Sequence, residues 1–556
     1  MNILSKEMVL QVLVWALQAI GVVVFAEALR GIWWLVNMLF VQPPSDPLRH
    51  LPGPDAPKMR NHFRETMDPM QTPETHDRWR ELYGKTFRFH GFGSFDYRLL
   101  SFDHRVISYV LNSPTFEKPW QTRRILSNLL GRGIIATEGD EHAFLRKLIS
   151  PAFNTHFIKS LTPLMFAKAE ELKYKWDNIV SSSSPQSPEK LDEKTESATI
   201  DVASWLSRTS FDIIGLTAFD YSFDALNDET DEVYNAYKTM LDAQAKGPGF
   251  KRILELFFPI LETLLPDQHL RNLKRSQKVV RATGLRLVSE KRAAILADMS
   301  AKNGQQKDLL SLLIRANLSE NHNQRLSDDE IVNQLSTFLF AGAESTAISA
   351  AWALHHLSLD TSIQDQLREE LLSSNALSQQ DPTAAIDALP YLDAVVRETL
   401  RFVPPAHGTI RVATQDEVIP LSEPIVLRTN ELVNEVHIKK GSYVHIAIEG
   451  LNYCKDIWGD DAREYKPSRW LNLPPSARGQ PGLANLMSFS YGPQSCIGWR
   501  FSLIELKIFL ATLVTQFSFE PAAEIGKYNA VITRPYVRHK FDLGPALPLK
   551  VSRLAS

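Results

Sequence analysis

Cys496 is one of only two cysteines in 556 residues, and it sits in the stretch Phe489–Arg500, FSYGPQSCIGWR. Gly492 and Gly498 flank it, and a pattern that reads as helix, FSLIELKIFLATLV, follows at once. A thiolate is a strong metal ligand, and the positive end of a following helix favours its ionised form. Glycine lets a loop take positive φ and lets backbone approach a flat cofactor closely. Hydrogen bonds to the sulfur tune how much electron density it donates, and Phe489 is placed to shield it from water. A lone cysteine ahead of an apolar helix is more often a buried free thiol, so the spacing FxxGxxxCxG has to carry the stronger reading.

Other residues of chemical interest lie far upstream. Ala341-Gly342-Ala343-Glu344-Ser345-Thr346 puts an acid and two hydroxyls beside small residues in the middle of a helical run. Such a gap leaves room for a ligand against the backbone, and such side chains relay protons. The plainer reading is a helix kink with polar residues facing solvent. His142 and Arg146, four apart in GDEHAFLRKLISPAF, share a helix face, and a guanidinium fork matches a carboxylate. Alone, they could be ordinary surface charges. Glu398 and Arg401 are three apart on one face, a weak signal by itself because such surface pairs are common.

In this order the motifs resemble those of the cytochrome P-450 superfamily. The match holds at Phe489, Gly492, Cys496 and Gly498, and at Phe501, Glu505 and Lys507 in the following helix. The resemblance implies haem b (iron protoporphyrin IX) with Cys496 as axial ligand of its iron. His142 and Arg146 then point at the propionates, with Arg411 as a further propionate partner. Glu344, Ser345 and Thr346 organise proton delivery to oxygen. Glu398, Arg401 and a second arginine, Arg469 in YKPSRWL, hold the haem loop as structural residues. Two positions depart from the family pattern: Gln494 stands where Arg or His is usual, and Ser345 where Thr is usual.

The implied fold is mainly α with a small β region, the P-450 fold behind an N-terminal transmembrane anchor. The implied reaction inserts one oxygen atom from O2 into an apolar small molecule. Nothing in the chain resembles a flavin or nicotinamide domain, so electrons come from a partner, by resemblance NADPH-cytochrome P-450 reductase, with cytochrome b5 as a helper. Long polar insertions and the phrase RVATQDEVIPLSEPI look like fungal members, which often decorate terpenoids and other secondary metabolites. Two other classes stay open: an O2-independent haem-thiolate isomerase or dehydratase, and a non-catalytic haem sensor. A requirement for NADPH and reductase separates the first, and indifference to loss of Glu344 or Thr346 would point to the second.

The elements that must position these residues can be read along the chain. Met8–Ala26 is apolar but for Gln11 and Gln18, about the length that spans a bilayer. An interfacial apolar segment follows over 31–41, and together residues 1–45 form the expected anchor, which implies an endoplasmic reticulum membrane with the domain in the cytosol. A Pro-rich hinge is expected over 46–54 and the catalytic domain over 55–556. A signal peptide is the rival, but the apolar run exceeds the ~7–15 residues of such a core. Tyr83–Leu100 reads as a hairpin, Ser101–Leu111 as a helix, and 115–136 as loop-rich, with Phe116, Trp120, Ile134 and Ile135 as apolar points. The stretch 181–197 reads as a polar surface loop, and Gly247–Leu265 as core or a membrane-dipping patch. Ser327 to Glu330 is a capping box opening a long helix through Glu344, Pro390–Phe402 a helix, and Val436–Ile448 a hairpin turning at Lys440-Gly441. Net charge is −3, so no global basic field suggests nucleic acid. Two cysteines provide no disulfide framework.

Overall fold

The computed structural model describes residues 6–554 apart from 57–60, 63–64, 67, 69–71, 183–195, 229, 243–249, 259–260, 263–266, 302–307, 320–324, 484 and 530. Most of the expected polar loop over 181–197, and parts of 247–265, therefore lie outside the described residues.

The fold is built on a long central helix. It opens at Asp328, where the Ser327 hydroxyl takes the Glu330 amide and the Glu330 side chain returns to Ser327, closing the capping box. It runs as Asp328–Leu339, widens to a π-type turn over Phe340–Glu344, and continues as Ser345–Leu359. The widening has a visible cause. Tyr237 pushes its hydroxyl into the turn, where it donates to the Leu339 carbonyl at 3.1 Å and accepts from the Glu344 amide. A side chain inserted in the backbone ladder is one of the few things that bends a helix sharply.

Small residues on the second half, Ala343, Ala347, Ala350 and Ala351, are fully buried and let neighbours approach closely. The helix Val202–Phe219 packs along it, as do Trp499–Val514, which follows the cysteine, and Pro390–Phe402. Trp499–Val514 is buried almost throughout, which fits its largely apolar sequence, with Glu505 and Lys507 buried among the apolar residues.

The β region is small. Thr86–His90 and Tyr97–Ser101 pair antiparallel as the expected hairpin, and form the edge of a five-stranded sheet with Tyr443–Ile446, Thr409–Ala413 and Phe116–Glu117. Glu417–Val426 pairs with Leu432–Ile438, and Ile525–Asn529 with Thr533–Val537. Pro548–Arg553 is flanked by Ser197–Asp201 and Phe517–Pro521.

Several expectations are corrected. Val436–Ile448 is not a hairpin: its halves, Leu432–Ile438 and Tyr443–Ile446, belong to different sheets. Gly441, at φ +90, turns the chain from one sheet into the other. Residues 115–136 are not mainly loop, because Trp120–Leu130 is a helix whose Leu126, Leu129 and Leu130 are buried. The N-terminal region is one helix, Lys6–Val36, rather than a span over 8–26 with a separate segment over 31–41. No proline interrupts it, and a lone glycine such as Gly31 costs only about 1 kcal/mol in a helix. Among the described residues no helix is long and apolar enough to cross a membrane. Trp15, Phe25, Trp33 and Trp34 on this helix are exposed. The Pro-rich segment over 46–54 packs against the domain. Leu48 and Leu51 are buried, the Arg88 amide bonds to the Pro52 carbonyl at 2.9 Å, and the Arg428 amide bonds to that of His50 at 2.7 Å.

Candidate functional site

Cys496 lies three residues ahead of the helix Trp499–Val514, in a loop closed by its own amide, which donates to the Phe489 carbonyl at 2.8 Å. Phe489 is buried, whereas residues 491–499 are partly exposed, and Pro493 among them is exposed. Gly492 has φ +75, and a Cβ there would lie 2.5 Å from the Leu111 carbonyl oxygen, so only glycine fits. Gly498 is different. Its φ is −88, and the nearest atom to an added Cβ is Phe153 Cε1 at 3.6 Å, so neither backbone nor packing within the protein demands glycine there. The thiol itself is not pre-ionised as the following helix suggested: burial pushes it up, opposed by the Gly498 amide and by Arg146. A bound metal ionises such a thiol outright.

Upstream of the cysteine a compact charged cluster forms from four separate elements. Gln494 Oε1 accepts from Lys118 Nζ at 3.0 Å and from Arg411 Nη2 at 3.1 Å, while its amide nitrogen donates to Glu138. Lys118 also pairs with Glu138 at 2.6 Å. The departure at 494 thus has a physical reason. An arginine or protonated histidine would face two cations, and glutamine instead offers both an acceptor. Burial lowers the affinity of Lys118 and of Arg411 for their protons, with Glu138 opposing. Arg146 turns to the loop itself, donating to the Ser495 carbonyl at 2.6 Å and approaching its hydroxyl at 3.4 Å. His142 is buried beside them, and burial followed by the Lys118 and Arg146 charges lowers it to about 4, so its ring is neutral near pH 7.

At the bend of the central helix the three motif residues point to different places. Ala341 is exposed and Ser345 partly so, one turn apart on one face. Ser345 Oγ donates back to the Ala341 carbonyl at 2.6 Å. Glu344 is buried; its Oε2 accepts from Ser207 at 3.0 Å and its Oε1 meets Arg534 Nη2 at 3.0 Å. Thr346 is buried and bonds at 3.2 Å to Ser502, on the helix behind Cys496. The motif is therefore split: Ser345 alone keeps an open side, while Glu344 and Thr346 are engaged in the packing. The room expected at Gly342 is also closed, since a Cβ there would come within 2.5 Å of Ile214 Cδ1.

Glu398, Arg401 and Arg469 come together in a fully buried network. Arg401 grips Glu398 with two bonds of 2.8 Å, and Arg469 Nε adds a third at 3.0 Å. The Lys466 amide and the Trp470 indole complete the carboxylate. The arginines in turn hold the carbonyls of Asn452, Trp458, Asp461, Ala462 and Glu464. Ser488, next to Phe489, bonds to the Leu400 carbonyl at 2.6 Å, which ties the cysteine loop to this scaffold.

The sequence profile described as Cytochrome P450 matches residues 52–533. The chain belongs to the cytochrome P450 family. Among similar curated proteins is cytochrome P450 monooxygenase 205 of Postia placenta, 37% identical, with 96% of this chain and 97% of that protein aligned. Cytochrome P450 monooxygenase 128 of the same fungus is 36% identical over 93% of this chain and 95% of its own. Cytochrome P450 monooxygenase claP of Ampulloclitocybe clavipes is 32% identical over 89% and 91%. This P450 is an oxidoreductase, and haem is the cofactor of its family.

The residues on hand fit haem. A thiol at the head of a helix is a suitable axial donor, and the cluster of Lys118, Arg411 and Arg146 carries more positive charge than Glu138 balances, as two carboxylates require. Sequence reasoning missed Lys118, Glu138, Ser207, Ser502, Tyr237 and Arg534. Each meets its partner across a sequence gap, and only Glu138, just ahead of the His142 helix, and Ser502, beside Phe501, lay near a recognised motif.

Proposed function

We propose that this P450 is a reductase-dependent haem-thiolate monooxygenase acting on an apolar small molecule, with fungal terpenoids and related secondary metabolites as the first candidates. The observation that carries this reading is the Cys496 loop, locked by Phe489 and Gly492 ahead of its helix. Haem, when bound there, supplies O2 activation and oxygen insertion, with the thiolate donating electron density.

The protein's own groups do the rest. Lys118 and Arg411 would hold the haem carboxylates, and neutral His142 would add a hydrogen bond. Arg146 fixes the loop through Ser495 and draws the sulfur toward its ionised form. Ser345 Oγ, anchored on the Ala341 carbonyl, holds a proton at the open face of the helix, where it would serve the oxygen chemistry that haem supplies. Glu344, held by Ser207 and Arg534, sets the charge behind the turn, and Thr346 fixes the helix to Ser502. The preference for apolar substrates is supported by the absence of charge on that open face, which among the described residues is Ala341 and Ser345. NADPH-cytochrome P450 reductase supplies electrons, with cytochrome b5 as a helper. The N-terminal helix, with its exposed tryptophans, associates with the endoplasmic reticulum membrane and leaves the domain in the cytosol.

The test is the absorption spectrum of dithionite-reduced, CO-treated membranes containing this chain. A Soret band shifted far to the red, and lost in Cys496→Ala, is expected. A band typical of histidine-ligated haem in folded protein would overturn the assignment. Product formation from a terpenoid panel that needs both NADPH and reductase then tests the substrate class.

A further inference from the structure

The departure at 494 relieves two cations, and it also fixes the charge that the cluster carries. Lys118 is brought there by strand register. Phe116 and Glu117 pair with Ala413 and Val412 in the five-stranded sheet, so the next residue, Lys118, arrives beside Arg411. Glu138 comes from another element, as the residue just ahead of the helix Gly139–Ile149. A side chain at that place can accept from the free amides of the first turn, but Glu138 makes no such bond. Its carboxylate is turned to the cluster instead. Oε1 accepts from the Lys118 amide at 3.1 Å and meets Lys118 Nζ at 2.6 Å, while Oε2 accepts from the Gln494 side chain. The side chain is only 4% exposed.

Lys118, Arg411 and Arg146 against Glu138 leave two positive charges, and Gln494 adds none. The neighbouring pairs Arg123–Glu117 and Arg132–Glu141 are each balanced. Two positive charges match the two carboxylates of haem and no more. A further cation would favour ferrous over ferric iron, because the extra electron is an extra negative charge. Where water is excluded, such an effect is screened little.

We propose that Glu138, together with the neutral Gln494, holds the reduction potential of the haem iron down by cancelling one of the three cations. This rests on the reading of Cys496 as the haem ligand. The step concerned moves one electron. Ferric iron is reduced to ferrous, by dithionite in a titration or by the reductase in turnover, and no bond to the protein is made or broken. Charge alone then dictates the sign of each variant. Glu138→Gln leaves three positive charges, Lys118→Met leaves one, and the double variant leaves two, as in the native protein.

The experiment is a dithionite titration of the holoenzyme followed by absorption, for the native protein and these three variants. In Glu138→Gln the ferrous-to-ferric ratio at a fixed potential is expected to rise about tenfold, a midpoint shift of about 59 mV for one electron. Lys118→Met is expected to lower the ratio by a similar factor, and the double variant to lie within about twofold of native. Shifts of all three variants in one direction, or no shift in Glu138→Gln, would overturn the proposal. A single variant leaves its buried partner unpaired and can fail to load haem. Gln494→Glu then carries the same test, since it adds an acid of nearly the same shape beside Lys118 and Arg411. Its ratio is expected to fall about tenfold, and a rise or no change would overturn the proposal. The CO spectrum of the reduced native protein reports separately. Without the red-shifted Soret band the reading of Cys496 fails, whereas a normal band with unchanged midpoints removes only the role of Glu138.

Discussion

Glu505 sits on the helix behind Cys496 with no exposed surface, one oxygen accepting from Ser210 at 2.7 Å and the other without a hydrogen-bond partner among the described residues. Burial raises its carboxyl from 4.5 to about 8, against the opposing pull of Ser210. The folded chain thus binds this proton more tightly than the unfolded chain does. The resulting stabilisation is complete below pH 4.5 and is lost as pH rises toward about 8. Glutamine keeps an acceptor for Ser210 but cannot ionise. Glu505→Gln is expected to flatten the fall of the thermal midpoint across that window, and to gain on the native enzyme as pH rises. Midpoints measured by circular dichroism over the same range check this, and parallel curves for the two proteins would refute it. Cys496 carried a purely local signature, the fixed spacing around it, and so was legible in sequence. Glu505 was visible only as a family match. That Ser210 would be its partner depends on the helix Val202–Phe219, which sequence does not bring near it.

At the level of elements, the bend in the central helix rests on one inserted hydroxyl. Tyr237→Phe removes it and leaves the Leu339 carbonyl and the Glu344 amide without that partner. A loss of about 1–2 kcal/mol in unfolding free energy is expected, read from denaturant midpoints at unchanged slope. The capping box and the length of this helix were legible because caps and periodicity are local. The widened turn was not, because its cause lies on another helix. The same division explains the β region. The hairpin Thr86–Ser101 is contiguous and was found, whereas the alternating pattern of 436–448 is the same whether its halves pair with each other or with different sheets. Glu398 and Arg401 are neighbours on one helix and were legible. Arg469 needed the family resemblance to be singled out, and the carbonyls that the pair holds needed the structure.

For the molecule as a whole, the N-terminal helix reaches the domain near its aromatic surface. Trp34 lies 6.1 Å from Phe257, and Phe257 lies 5.3 Å from Trp120 on the helix Trp120–Leu130. Because the domain has its own core and scaffold network, a chain lacking residues 1–45 is expected to keep the red-shifted CO band. It is also expected to move from the membrane pellet to the supernatant on centrifugation, and loss of the band with sedimentation unchanged would contradict both expectations.

The row Trp34, Phe257 and Trp120 also makes this surface readable by light. Indole emission depends on the polarity around the ring, and Trp33, Trp34 and Trp120 are all exposed. Lipids carrying bromine at a chosen acyl depth quench only those rings that reach that depth. Single-tryptophan replacements by phenylalanine would then assign the quenching ring by ring. With lipid vesicles, the row would serve as a built-in ruler: quenching would report depth and tilt of contact, and its absence would show that the surface stays clear of lipid.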